Sequence, residues 1–191
     1  MAQRIFKTTE PVKLDGYQAI FQPSKKHNNY CLMALIDQDL VDELEDDRIE
    51  CLKWAESRLK NPRRATLKHA PWEQVEGTDY YKATFNWKEH ERPPIVDSEG
   101  TPITDSGIKL YNGTVKIGFR QKPYVQSGDI YGTRLVMLGI QVISIESGVG
   151  VDRGDLDDAA VAELFGKTAG YKANDPNVAV AAPEVDLDDD F

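Results

Sequence analysis

The chain has 191 residues, 40% of them hydrophobic and 29% charged, with a formal net charge of −9. That is apolar content for one core with appendages, and at a mean hydropathy of −0.50 no apolar run approaches the length of a membrane-spanning helix. The opening MAQRIFKTTE carries charge where a secretory signal needs an apolar stretch.

The charge is unevenly placed. Residues 151–191 hold 11 acids and 3 bases, a net of −8, and residues 37–50 hold eight acids against Arg48 alone. Outside those two segments the body is left at +6. A polyanion responds to the local field rather than to the total, so acidity overall does not exclude nucleic acid. Cys31 and Cys51 lie in apolar contexts and suit a reducing compartment. His27 stands four positions before Cys31, but no second ligand pair follows at zinc spacing, so no metal or other cofactor is expected.

In chain order, residues 4–21 read as an extended lead-in with Val12, Leu14, Tyr17, Ala19 and Phe21 in loose alternation. A turn at Pro23–Asn29 carries the basic group Lys25-Lys26-His27. Tyr30–Ile36 is a continuous apolar run and predicts a buried strand. A helix follows over Asp39–Lys60, capped by Asp37 or Asp39, with acids in its first turns and Lys53, Arg58 and Lys60 near its end, as the helix dipole favours. Its apolar stripe is Val41, Leu44, Cys51, Leu52, Ala55 and Leu59; its acidic face reads as solvated surface. Asn61-Pro62 is expected to stop it, and Arg63, Arg64, Lys68 and His69 form a basic connection.

Tyr80–Lys88 alternates cleanly, placing Tyr81, Ala83, Phe85 and Trp87 on one face and Tyr80, Lys82, Thr84, Asn86 and Lys88 on the other. Trp54, Trp72 and Trp87 are expected to pack in the core. Residues 89–108 are rich in Pro, Gly and Asp and predict a long loop with at most a short strand; His90, between two glutamates, reads as exposed charge. From Thr114 the alternation turns Val115, Ile117 and Phe119 inward and Lys116, Gly118, Arg120 and Lys122 outward, between Tyr111 and Tyr124. Basic residues between tyrosines on one strand face suit a phosphate backbone with stacking platforms beside it, although lysines also guard ordinary edge strands. Tyr131–Ser147 predicts a long strand with Gly139 where a barrel strand bends. A short helix is expected at 155–165, then a linker rich in Ala, Pro, Asn and Asp.

The chain closes on Glu184-Val185-Asp186-Leu187-Asp188-Asp189-Asp190-Phe191, five carboxylates and a terminal aromatic that cannot build a core and should stay solvated. Such a tail can fold over a basic groove and be displaced by a stronger polyanion. The expected fold is mainly β: an OB-fold-like five-stranded antiparallel barrel with one inserted α-helix and a disordered acidic C-terminal tail. The expected layout is a barrel over 1–150, a helical extension over 151–166, and linker and tail over 167–191.

In element order and in the tail from Asp186 to Phe191, the sequence resembles the single-stranded DNA-binding proteins of short-tailed phages (podoviruses). That resemblance implies binding of single-stranded DNA in phage DNA replication, recombination and repair, in the cytoplasm of an infected bacterium, with strand annealing. It also implies that the tail (Asp186, Asp188, Asp189, Asp190, Phe191) contacts the replicative DNA polymerase and the helicase–primase, competes with DNA for the cleft, and mediates homodimerisation. The residues expected to carry DNA are Lys82, Lys88, Lys109, Lys116, Arg120, Lys122 and Arg134 for phosphates, and Tyr80, Tyr111, Tyr124 and Tyr131 for bases. The alternative is a phage structural or assembly protein that uses no nucleic acid, which leaves the Lys-Gly-Arg-Lys strand face without a role. An enzyme is not expected: no phosphate-cradling glycine loop, Cys–His or Ser–His pair, or paired His ligands are present.

Overall fold

Two long strands joined by a tight turn carry the architecture. The computed structural model of the protein describes residues 4–16, 18–104 and 110–146. Lys109, the expected helix at 155–165, the linker and the whole acidic tail lie outside the described residues. In chain order the elements are β1 (Phe6–Lys7), β2 (Val12–Lys13), β3 (Tyr30–Ile36), α1 (Gln38–Glu56), β4 (Thr66–Leu67), β5 (Trp72–Gln74), β6 (Tyr81–Trp87), β7 (Ile95–Val96), β8 (Tyr111–Gln126) and β9 (Ile130–Glu146). Single 3-10 turns occur at Pro62–Arg64 and Glu89–Glu91. The fold is thus mainly β with one α-helix among the described residues, as the alternation of the sequence implies.

The barrel closes as a ring of five strands. β8 pairs antiparallel with β9 from Gln126↔Ile130 to Tyr111↔Glu146, and β3 pairs antiparallel with β6 from Tyr30↔Trp87 to Ile36↔Tyr81. β2 joins β8 at Val12↔Val115 and reaches β3 through the bridge Leu14↔Ala34. The remaining seam, β6 to β9, is parallel and has a single paired position, Phe85↔Leu135. The sequence reading expects antiparallel pairing throughout; a closed ring with an odd number of strands cannot alternate direction all the way round, so one seam must run parallel. β4 and β7 also add to β9 in parallel, and β5 to β6 antiparallel; none of these short strands shows a pattern in the sequence.

Alternation fills the interior. β3, expected only as a buried run, buries Tyr30, Leu32, Ala34 and Ile36; β6 buries Ala83, Phe85 and Trp87, and β8 buries Val115, Ile117 and Phe119, on the faces expected from sequence. At the thin seam the core is aromatic: Phe85 meets Phe119 edge to face with ring centroids 5.0 Å apart, and Phe6 stacks on Phe119 at 5.7 Å. A bulge between Gly118 and Phe119 shifts the β8–β9 register beside the Gly118↔Gly139 pair, where the long ladder bends.

α1 covers one side of the barrel. Asp37 caps it by accepting from the Leu40 amide at 2.9 Å. Val41, Leu44, Cys51 and Ala55 are its buried stripe. Polar pins add direction: the buried Gln121 amide of β8 donates to the Leu44 carbonyl and to Asp47, each at 3.0 Å, and Arg48 Nε donates to Thr133 Oγ1 at 3.2 Å. Burial, with the Asp47 carboxylate next in effect, pushes the Cys51 thiol up to about 12, so it stays protonated at neutral pH.

The helix ends at Glu56, before the expected Lys60. Ser57 Oγ donates to the Trp54 carbonyl at 2.6 Å, and the amides of Arg58 and Leu59 turn to carbonyls three residues back. The amides of Lys60 and Asn61 are taken by the Asp129 carboxylate at 2.8 and 3.0 Å, which draws the chain away from the helix axis. Trp72 and Trp87 pack as expected, but Trp54 is 39% exposed, with the Arg58 guanidinium over its ring at 5.3 Å.

Because Phe119 touches aromatic rings from two other strands at the weakly hydrogen-bonded seam, Phe119→Ala is expected to cost about 3–5 kcal/mol in urea unfolding. A loss under about 1 kcal/mol would mean that the seam does not rest on this contact.

Candidate nucleic-acid interface

With Val115, Ile117 and Phe119 held inside, the pleat turns Lys116, Gly118, Arg120 and Lys122 to the outer face of β8. The ladder sets their neighbours on β9: Lys116 opposite Gln141, Gly118 opposite Gly139, Arg120 opposite Val136 and Lys122 opposite Arg134. On the other side of β8, β1 pairs Phe6 with Phe119 and Lys7 with Gly118. Lys7, which the sequence reading did not single out, thereby joins the same face. A two-residue strand offers no periodicity from which its partner could have been deduced.

A groove of about 460 Å³ lies here, lined among others by Lys7, Thr8 and Lys116 on one side and Pro94, Val96 and Gln141 on the other. Its floor is bare backbone. A Cβ added at Gly118 would meet nothing within 4 Å, and one at Gly139 would only reach the Pro94 carbonyl oxygen at 4.0 Å. The Gln141 amide is fixed by donating to the Asp97 and Ser98 carbonyls at 3.3 and 3.2 Å, so the β7 wall and the β9 edge hold together.

Beyond the groove the face stays basic. Lys122 and Arg134 stand directly opposite each other, an arrangement that costs stability in a sheet unless an anion screens it. Among the described residues only Glu91 approaches them, 3.7 Å from Arg134. Arg120 Nε is buried with no acceptor among the described residues, and a phosphate oxygen would satisfy it. Tyr124 ends the row, half-buried over Gly132: a Cβ at that glycine would come within 3.0 Å of the Tyr124 hydroxyl and 3.2 Å of Lys68 Cβ. A side chain here would have to push Tyr124 or Lys68 back by a few tenths of an ångström, so the bare glycine lets both pack close on the sheet.

The structure gathers part of the expected set and separates the rest. Lys116, Arg120, Lys122, Arg134 and Tyr124 share the β8–β9 face with Lys7. Lys88 is exposed at the start of the Glu89–Glu91 turn, whose Glu91 reaches Arg134, so it borders this face. Tyr111 begins β8 opposite Glu146. Lys109 lies outside the described residues.

Three expected residues are placed elsewhere. Tyr131 falls on the α1 side, because the register pairs Val125, not Tyr124, with it; its hydroxyl donates to Glu56 at 3.4 Å. Burial, helped by the Glu56 charge, raises its pKa. Lys82 is on β6, flanked by Leu35 and Glu73, and its ammonium is engaged by Asp15 at 3.0 Å, which raises its pKa. Tyr80 is exposed in the turn between β5 and β6, next to Tyr81, whose hydroxyl donates to Gln38 at the start of α1.

No family model and no curated protein sequence matches this chain. Solved structures do match it. The single-stranded DNA-binding protein gp2.5 encoded by bacteriophage T7 superposes with a TM-score of 0.61 at 16% identity, over 80% of this chain and 98% of that one. The single-stranded DNA-binding protein of bacteriophage Enc34 gives 0.54 at 14% identity, over 81% of this chain and 89% of that one. The Enc34 protein in complex with single-stranded DNA gives 0.53 at 11% identity, over 76% of this chain and 89% of that one. At these identities the likeness establishes the fold: the chain shares the architecture of phage single-stranded DNA-binding proteins.

Proposed function

We propose that this chain is a sequence-tolerant single-stranded DNA-binding protein of a phage. The observation that carries the reading is the row of cations on the outer β8–β9 face, with Lys122 and Arg134 opposed and short of acidic partners, on a fold shared with phage single-stranded DNA-binding proteins. Lys7, Lys116, Arg120, Lys122 and Arg134 neutralise phosphates, and Tyr124 offers a ring on which a base stacks. Among the described residues the groove floor is glycine backbone, which suits binding without sequence preference.

The wider role follows from the tail and from the resemblance. An acidic segment ending in Phe191 competes with DNA for the basic face. When displaced, Asp186, Asp188, Asp189, Asp190 and Phe191 are presented to the replicative polymerase and the helicase–primase. Protection of single strands in replication, recombination and repair, strand annealing, dimerisation and action in the cytoplasm of an infected bacterium belong to the same proposal.

If about four phosphates are neutralised, log affinity for a labelled oligo-dT falls against log salt with a slope near −3, at roughly −0.7 per phosphate. A matched duplex binds more weakly, and a chain stopped at Pro183 binds oligo-dT more tightly than the full chain. Absence of oligo-dT binding by either form at low salt contradicts the function; equal affinity of the two forms contradicts the competing tail.

Relief of the opposed charges gives a second expectation. Lys122→Ala raises folding stability by about 0.2–1 kcal/mol and makes the salt slope shallower by about 0.7. A variant that loses stability and keeps the wild-type slope would show that Lys122 is a packing residue rather than a phosphate contact.

A further inference from the structure

The sequence 57–70 (SRLKNPRRATLKHA) carries five Lys or Arg residues and no acid, and the groove described above does not use it. A basic connection between a helix and a strand is ordinarily a solvated loop. This one is held in place at three points. Asp129, at the tip of the β8–β9 turn with a φ of 56°, accepts from the Lys60 and Asn61 amides at 2.8 and 3.0 Å. β4 pairs in parallel with the start of β9, Thr66↔Ile130 and Leu67↔Tyr131, and the Lys68 amide donates to the Tyr131 carbonyl at 2.8 Å. Arg48, already bonded to Thr133, donates through its other nitrogen to the Lys68 carbonyl at 2.9 Å.

This anchoring fixes where the charge lies. Lys68 Cβ and the Tyr124 ring both pack on the bare face of Gly132, so Lys68 stands immediately beyond the tyrosine that ends the basic row. Arg63, Arg64 and Lys68 are exposed and form no ion pair with any described residue. Two ordered basic surfaces therefore meet at Tyr124, one on the outer face of the barrel and one on the connector.

We propose that the connector is a second phosphate-binding segment of the same track: a single strand that fills the β8–β9 face passes over Tyr124 and continues along Lys68, Arg64 and Arg63. This rests on the reading of that face as a DNA-binding surface and adds to it a dependence on strand length. Short strands occupy the barrel face alone, and only longer ones engage the connector.

The test is the triple variant Arg63→Ala/Arg64→Ala/Lys68→Ala, compared with the wild type on oligo-dT of about 6 and about 16 nucleotides, lengths within the range known for single OB folds. The shorter strand is read by competition against the labelled longer one, so that weak binding is still measured. For the 16-mer the variant is expected to lose roughly tenfold or more in affinity at moderate salt, with a salt slope shallower by about 2, at −0.7 per lost phosphate contact. For the 6-mer its affinity should stay within about twofold of the wild type. Equal losses on both lengths would overturn the proposal, because the connector would then act only as a diffuse field; so would no loss on either. Failure of the wild type to bind the 16-mer would instead sink the DNA-binding reading itself. Circular dichroism and urea unfolding of the variant report whether the fold is kept, and Arg63→Ala/Arg64→Ala, which leaves Lys68 on Gly132, gives a slope change of about 1.4 if the triple variant is destabilised.

Discussion

The barrel depends on Phe85 and Phe119. The β8–β9 and β3–β6 ladders are long and β2 reaches β3 through the bridge Leu14↔Ala34, whereas β6 and β9 share a single pair, Phe85↔Leu135. Such a seam cannot rest on backbone hydrogen bonds, so the ring is closed from inside, where Phe85 and Phe119 are both fully buried and in edge-to-face contact. Fixing Phe119 inward also fixes the outer face. With a side-chain period of two, Arg120 and Gly118 must point out, and Lys116 and Lys122 with them. The basic row is thus a consequence of the core: the residues that close the barrel aim the cations of its outer face.

A cost accompanies this arrangement. Lys122 opposite Arg134 and an Arg120 Nε without an acceptor among the described residues are local violations of the rules that stabilise sheets and buried polar groups. Proteins tolerate such violations where a ligand resolves them, and one chemistry, a chain of phosphate oxygens, would resolve both. The acidity of α1 does not interfere with that field on the outer face. α1 packs where Gln121 and Thr133 point, on the side of the sheet opposite Arg120 and Arg134.

The faces of β6 and β8, the existence of the long β9, the buried β3 run and the helix with its acidic cap were legible in the sequence because each depends on periodicity or local chemistry. What was illegible depends on register between distant segments. Tyr124 and Tyr131 look equivalent on their own strands, and only the pairing Val125↔Tyr131 sends the second toward α1. Lys82 reads as an outward cation until Asp15, far upstream, is found beside it. Lys7 sits in a two-residue strand and Lys68 directly follows one, and no local pattern announces the partners of either strand. The helix end was misread for the same reason: Asn61-Pro62 is a visible stop, whereas Asp129, which takes the Lys60 and Asn61 amides, lies elsewhere in the chain.

The account stands on DNA lying along the outer β8–β9 face, and amine labelling of the full chain with and without saturating oligo-dT, read residue by residue by mass spectrometry, tests that placement most directly. Lys7, Lys116 and Lys122 should be protected by the oligonucleotide, while Lys53, on the exposed surface of α1, should label equally in both states. Protection at Lys53 with Lys7, Lys116 and Lys122 unchanged would place the strand on another surface and contradict the account.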